Sequence, residues 1–286
     1  MSSIEATRRW LVVEVAEQAF GIDVESVQEL LDLASQSVHR LPRSSPHMLG
    51  MLRVRESVLP LVDLRRLIGV PSMEAETESV IELLNERRRD HVNWLSELEA
   101  SVDESRPFRL TTDPHACAFG RWYDQLMADR KAVDRFTNGN LALRNVLESF
   151  DLCHQRIHAI AHQVTNLVET GDVAAARAVI QATRNGDLKR MIALFERACE
   201  LVGTVRHPRV VLVRIGGDVV GLAVDDVCQV TEIATETYRY LNVGTATSFV
   251  ECVATDACGR LIQLINLEDL ERQLTGDETA AGASPL

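Results

Sequence analysis

The two ends of this chain repeat one another, and that repeat limits what it can fold into more than any other feature. Phe20-Gly21-Ile22-Asp23-Val24-Glu25-Ser26-Val27 aligns with Val220-Gly221-Leu222-Ala223-Val224-Asp225-Asp226-Val227. Leu61-Val62-Asp63-Leu64-Arg65-Arg66-Leu67 aligns with Leu264-Ile265-Asn266-Leu267-Glu268-Asp269-Leu270. Self-similarity of this kind points to one structural plan used twice. The runs 10–15, 58–62, 210–215, 219–224 and 260–265 are short and rich in β-branched residues, which reads as strands. Gly216-Gly217-Asp218, between two of them, is a hairpin signal. The expectation is two small β-barrels, one from each end.

Between about residues 80 and 203 the texture changes to Ala, Leu, Glu and Arg with apolar residues at helical spacing. Four helices fit, at about 80–101, 115–135, 141–169 and 172–202, with breaks near Pro107, Asn138-Gly139 and Gly171-Asp172. An even number of antiparallel helices returns the chain to the end where it started, so such a bundle can be inserted in a loop of a host fold. The expected architecture is α+β and multidomain. Residues 1–78 and 205–274 form one discontinuous β-domain, 80–203 an inserted four-helix bundle, and 275–286 a small, polar, disordered tail.

A chain of 286 residues has room for two cores. Its net charge of −12 and pI near 5.2 argue against nucleic acid or anionic lipid as a partner, because those surfaces select concentrated Lys and Arg. Thr7 to Val13 has the look of a twin-arginine export start, but Glu14 and Glu17 interrupt the apolar run. No apolar stretch approaches the roughly 18 residues needed to cross a bilayer, so the expected compartment is the cytoplasm. Six cysteines (117, 153, 199, 228, 252, 258) form no CxxC pair, against both a disulfide framework and a zinc ribbon.

Histidines at helical spacing stand out in Cys153-His154-Gln155-Arg156-Ile157-His158-Ala159-Ile160-Ala161-His162. Residues four apart share a helical face, so His154 with His158, or His158 with His162, can present two imidazoles to one ion. Solvated or hydrogen-bonded side chains are the plainer alternative. His91 precedes Trp94 by three positions on the first predicted helix, where the indole could wall off a buried site. Cys117-Ala118-Phe119-Gly120-Arg121-Trp122 lies on the second. A glycine within a helix costs about 1 kcal/mol relative to alanine, so Gly120 implies that something, such as a neighbouring helix, packs closely there.

These segments resemble the chemoreceptor zinc-binding (CZB) family, a four-helix bundle with a His-Cys-His-His zinc site. Its histidine followed three residues later by an aromatic matches His91 and Trp94. Its Cys-x-φ-Gly-(Lys/Arg)-Trp stretch matches Cys117 to Trp122, and its His-x-x-φ-His pair followed by alanine matches His154, His158 and Ala161. The resemblance implies one Zn2+ per chain held by His91, Cys117, His154 and His158, with His162, His115 and Cys153 as neighbours. Four protein ligands close a tetrahedral shell, which argues against an enzyme. A single thiolate among neutral imidazoles concentrates reactivity on Cys117, and the family is associated with zinc sensing and with oxidant sensing, including hypochlorous acid, through its cysteine.

The flanks resemble the CheW-like domain, a pair of five-stranded barrels that links chemoreceptors to the histidine kinase CheA. The residues that carry this are Phe20 to Glu29, Leu49 to Arg55, Val58 to Arg65, Val220 to Val227 and Leu264 to Leu267. By position, Arg55 matches an arginine near the receptor-binding groove, while Val27, Glu29 and Gly50 match the kinase-facing surface. The plainer readings are core packing for Val27, a turn of positive φ for Gly50 and a surface salt bridge for Arg55. The chain departs from the family in having Arg53 and Glu56 where asparagine and glycine are usual, and Glu56 beside Arg55 could pair with it or repel an acidic partner.

The resemblance therefore implies a chemotaxis adaptor coupling a methyl-accepting chemotaxis receptor to a CheA-type histidine kinase, with the zinc bundle modulating it. The alternative is a constitutive scaffold whose zinc is purely structural. The family's bundles often pair, which makes a homodimer one option, although this bundle is tethered at both ends.

Overall fold

The computed structural model describes residues 7–42, 44–240 and 249–281. In chain order the elements are β1 (Thr7–Val15), β2 (Gln18–Asp23), β3 (Val27–Asp32), β4 (Val38–His39), β5 (Met48–Val54), β6 (Ser57–Asp63) and α1 (Leu64–Leu67). The helical block follows: α2 (Met73–Asp103), α3 (Ala118–Ala128), α4 (Arg130–Thr137), α5 (Leu141–Glu169), α6 (Val173–Thr183) and α7 (Lys189–Val205). Last come β7 (Arg209–Ile215), β8 (Asp218–Val224), β9 (Asp226–Ala234), β10 (Arg239–Tyr240), β11 (Val250–Thr255), β12 (Leu261–Ile265) and α8 (Leu267–Ala281). Two compact units result, one of residues up to Ala75 with those from His207 onward, the other Glu76–Arg206.

In the β-unit the two sheets have the orders β10-β11-β12-β2-β1-β9 and β4-β5-β6-β8-β7-β3. These are the same plan, with β1–β2 equivalent to β7–β8. The expectation of one barrel from each end is therefore corrected. Each repeat sends its first two strands into the sheet completed by the other repeat, and neither sheet closes on itself. The reason is visible in the repeated motif, because the two glycines seat the crossing. Leu264 pairs with Gly21 in the parallel ladder of β12 and β2, and Leu61 with Gly221 in that of β6 and β8. A Cβ on Gly21 would lie 2.7 Å from Leu264, and one on Gly221 would lie 3.1 Å from Leu61. The absent side chain gives the partner leucine room to lie across the strand, most tightly at Gly21.

Alternation along the strands supplies three apolar clusters. Trp10, Val12, Ile233, Ile262 and Leu264 fill the inner side of one sheet, and Leu52, Leu61, Val210, Leu212 and Ala223 that of the other. The third cluster, including Leu11, Val13, Phe20, Val211, Val213 and Leu222, lies between the sheets. Phe20 is 1% exposed, and complete burial of such a side chain stabilises by about 2–3 kcal/mol. The helical insert falls between the two repeats in chain order, so it interrupts neither. The terminal helix α8 runs to Ala281, so the part of the expected disordered tail from Thr275 to Ala281 is helical; residues 282–286 lie outside the described residues.

The bundle's four helical segments are separated at the expected breakers, but the first begins at Met73, ahead of the expected start near 80. Ser72 Oγ accepts from Ala75 N at the start of α2, Asn140 caps α5 through Leu143 N, and Asp172 caps α6 through Ala175 N. Asn138 ends α4 in the left-handed conformation. The fourth segment continues from α6 to α7 through a π-helical turn at Arg184–Leu188. The second is shorter than expected and divided: Cys117 is not inside the helix but caps α3, and Asp129, in extended conformation, ends α3 and caps α4. Among the described residues no helix is long and apolar enough to cross a membrane.

Candidate metal centre

Helix α2 presents His91 and Trp94 on one face, and α5 presents His154 and His158 one turn apart. Cys117 joins them from the cap of α3. Its Sγ accepts from Gly120 N at 3.1 Å, faces the Pro114 carbonyl at 3.3 Å, and lies 3.3 Å from His154 Nε2. One donor atom from each of His91, Cys117, His154 and His158 lies within 4.8 Å of all the others.

Gly120 is needed here for a reason different from the one expected. A Cβ would lie 1.8 Å from the Pro114 carbonyl oxygen. The close neighbour is thus the chain entering α3, not an adjoining helix, and the contact folds Cys117 inward.

The surroundings are apolar and aromatic. Trp94 packs on His158 with ring centroids 4.7 Å apart, Phe119 on His154 at 4.9 Å and on His91 at 5.5 Å. Trp94 is itself anchored by donating Nε1–H to the Thr111 carbonyl at 2.8 Å, so it walls the site as its spacing suggested. Burial holds all three imidazoles below the ordinary histidine range. His154 is pushed down to about 3 by burial, then by His91 and His158; His158 is pushed down to about 4 by burial, then by His91. His91 is lowered chiefly by burial. The rings are therefore neutral at pH 7, each with a lone pair on an unprotonated nitrogen.

The nitrogens of His91 and His158 that face the cluster have no protein partner, and His154 Nε2 meets only the Cys117 sulfur. His91 Nδ1 lies 2.7 Å from the Arg87 carbonyl, which fixes the proton there and turns Nε2 inward. His91 Nε2 and both nitrogens of His158 are buried with no hydrogen-bond partner. The Thr111 and Thr112 backbone near His158 works against its pKa shift without forming a hydrogen bond to either nitrogen. An unsatisfied buried polar atom costs about 1–3 kcal/mol, so several converging on one point fit a cation-binding centre. A soft thiol with three neutral imidazoles is a donor set suited to zinc.

The remaining candidates fall elsewhere. His162 is exposed on α5 and outside the cluster, so of the two histidine registers the 154/158 pair is the one brought together. His115 is exposed and paired with Asp124 at 2.8 Å. Cys153 is buried and faces the Phe150 carbonyl, as packing requires. In the β-unit, Arg55 sits at positive φ in the β5–β6 turn and pairs with Glu29 on β3 at 3.1 Å, not with Glu56. The two stand at far places in the strand order, so their contact means that the sheet curls strongly. Gly50 has φ +142, and a Cβ there would lie 2.4 Å from the His39 carbonyl, a local reason for glycine. Val27 is half-buried against the inter-sheet cluster.

Two parts of the centre were not read from the sequence: the Arg87 carbonyl that orients His91, and Asp90, which lines the small opening onto the cluster. A backbone acceptor carries no sequence signal, and Asp90 looks like any exposed helical acid.

Comparison with known families agrees with this layout. The model of the CheW-like domain matches residues 9–92 and 187–274, and that of the chemoreceptor zinc-binding domain matches 91–165, which contains all four clustered residues. The chain belongs to the CheW-like domain family, with a chemoreceptor zinc-binding domain set into it. A probable chemotaxis protein CheW from Rhizobium etli is 26% identical over 85 residues, which are 30% of this chain and 54% of the relative. The chain thus spans about half the length of the curated relative it matches. The crystal structure of the scaffolding protein TtCheW from Thermoanaerobacter tengcongensis is similar at 13% identity over 93% of this chain and 92% of that one. Its TM-score of 0.42 is too loose a likeness to argue from.

Proposed function

We propose that this chain is a chemotaxis adaptor whose CheW-like body couples a methyl-accepting chemotaxis receptor to a CheA-type histidine kinase. The inserted bundle binds one zinc ion and adjusts that coupling. The observation that carries the reading is the pair of nested family matches together with unpartnered, neutral imidazole nitrogens converging with a thiol. His91, Cys117, His154 and His158 are the four ligands in this proposal. A zinc ion held by them would supply a crosslink between α2, the start of α3 and α5 that depends on the thiolate.

Cys117 is the sensing atom. With hypochlorous acid its sulfur gives two electrons to chlorine, forming a sulfenic acid and releasing chloride and a proton, and the product is a poorer zinc ligand than the thiolate. Arg55, Glu29, Val27 and Gly50 mark the partner surface of the first repeat. The proposed site of action is the cytoplasmic face of a receptor array, with no nucleic acid and no membrane insertion. Pairing of two chains is compatible with the reading.

The test is zinc content and pull-down of kinase and receptor, on wild type and Cys117→Ser, before and after mild hypochlorous acid. Circular dichroism would follow helicity. The expected result is about one zinc per chain and partner binding that changes on oxidation in wild type only. Unchanged binding with full zinc would favour the constitutive scaffold with structural zinc, and absence of zinc would remove the ligand assignment.

A further inference from the structure

A cavity of about 40 Å³ opens onto the metal cluster, lined chiefly by Asp90, His91, Trp94, Cys117, Phe119 and His158. Its size admits little more than one water molecule, whose share of liquid volume is about 30 Å³. Cys117 is half-buried beside it, so its sulfur is approached from outside along this opening. Asp90 is the one carboxylate among the residues lining this opening. Its side chain is 47% exposed and is held 3.0 Å from Arg87, which also pairs with Glu86 at 2.5 Å. Arg121 also lies near Cys117 and donates to the Ala116 carbonyl.

We propose that Asp90 is the specificity-determining residue of this opening, a charge filter that favours cations and small neutral oxidants over anions on their way to Cys117. The proposal rests on the sensor reading above and names what the sensor admits. Arg87, Arg121 and Glu86 form a constant background, and fields add, so replacing Asp90 removes one negative charge whatever the others contribute. A fixed carboxylate at the mouth draws in a hydrated metal cation and an uncharged oxidant is indifferent to it. Anionic chelators, the hypochlorite anion and acidic thiols are repelled.

The test uses the full-length protein as isolated and a matched pair of methanethiosulfonate reagents, one ending in a trimethylammonium group and one in a sulfonate. In each, the Cys117 sulfur attacks the reagent's sulfenyl sulfur, a disulfide forms and methanesulfinate leaves. The ethyl arm then leaves the charged end at the opening. Rates are read at Cys117 by mass spectrometry on the tryptic peptide Leu110–Arg121, in which it is the sole cysteine, with exposed Cys228 as an internal reference.

The quantity of interest is the ratio of cationic to anionic rate. Asp90 also disfavours the Cys117 thiolate, and zinc occupancy slows any attack, but both effects act on the two reagents alike and cancel in the ratio. Asp90→Asn is expected to lower that ratio roughly tenfold at low salt, an effect that fades at high salt. Asp90→Lys is expected to lower it further, while the ratio at Cys228 stays fixed and circular dichroism stays unchanged. A ratio at Cys117 that is the same in all three proteins overturns the filter. Zinc content measured on the same samples tests the metal reading separately, since a zinc-free chain with a charge-dependent ratio would retain the filter and lose the sensor.

Discussion

The β-unit and the helical bundle solve opposite problems at their centres. The β-unit is held by apolar clusters in which strands from both ends of the chain interlock, with few polar atoms inside. The bundle has a comparable apolar lining but places three imidazoles and a thiol at its middle, with nitrogens of His91 and His158 that no protein group satisfies. In the first, the apolar alternation of the strands agrees with the packed fold. In the second, the packing holds groups that destabilise it unless something else binds them. The difference separates a scaffold from a site.

The sharpest way to break this comparison is to remove the metal. Calorimetry on the intact chain should show two unfolding transitions, of which a chelator lowers only the bundle's. A ligand present at a thousand times its dissociation constant stabilises by about 4 kcal/mol, so the expected change is at least of that order. A chelator that shifts both transitions, or neither, is incompatible with a bundle centred on a metal.

Acid should separate the units next. In the metal-free bundle His154 and His158 titrate at about 4 and below, and His91 is also lowered, whereas the unfolded chain binds these protons near 6.5. The unfolded state therefore holds more protons between those values. Stability is complete above pH 6.5 and falls as the pH drops toward about 4, by on the order of 3 kcal/mol over the first pH unit or so. Guanidinium titrations of the metal-free protein at pH 7.5 and 5.5 measure it; a bundle midpoint independent of pH would refute the neutral-imidazole assignment.

Within the β-unit the most sensitive polar position is Asp225. Its Oδ2 is 2.8 Å from Arg65 and accepts from Ala16 N at 2.8 Å, and Arg65 also donates to the Pro71 carbonyl. Removing one partner of such a largely buried pair typically costs about 3–5 kcal/mol, so Asp225→Ala should lower the β-unit's transition and leave the bundle's in place. A loss under 1 kcal/mol would mean that the pair is solvated. The pseudo-equivalent positions, Glu25 and Glu268, have no such arginine, so the interaction belongs to one half of the repeat only.

Much of both regions was legible beforehand, for different reasons. The bundle's helices were readable because their caps and breakers, Asn138-Gly139 and Gly171-Asp172, are local signals. The cluster was readable because the spacing of His154 and His158 and the order of the motifs survive translation into space. What was hidden depended on distant partners. The exchange of strands between repeats cannot be told from two separate barrels by strand content, since either arrangement uses the same runs. β3 (Val-Gln-Glu-Leu-Leu-Asp) and β9 were not picked out as strands because each lies at a sheet edge and is largely polar or exposed. Cys117 was placed within a helix because a thiol at an N-cap is unusual beside Ser, Thr, Asp or Asn.

The smallest expected effect tests the repeat itself. The β7–β8 turn is Gly216-Gly217, both at positive φ, and its equivalent in the β1–β2 turn is Ala16-Glu17, at φ +50 and +64. The same hairpin is thus built once with glycine and once without. Left-handed backbone costs a non-glycine residue about 1–2 kcal/mol, and the second hairpin tolerates it because Asp225 accepts from Ala16 N. Ala16→Gly should relieve that strain while loosening the unfolded chain, for a net gain of about 0.5–1 kcal/mol in the β-unit's transition by calorimetry. The same substitution in an Asp225→Ala background should gain more, because the compensating bond is gone and the strained turn stands alone. Equal gains in both backgrounds would show that Asp225 contributes nothing to holding the turn, and that the two hairpins are equivalent despite their sequences.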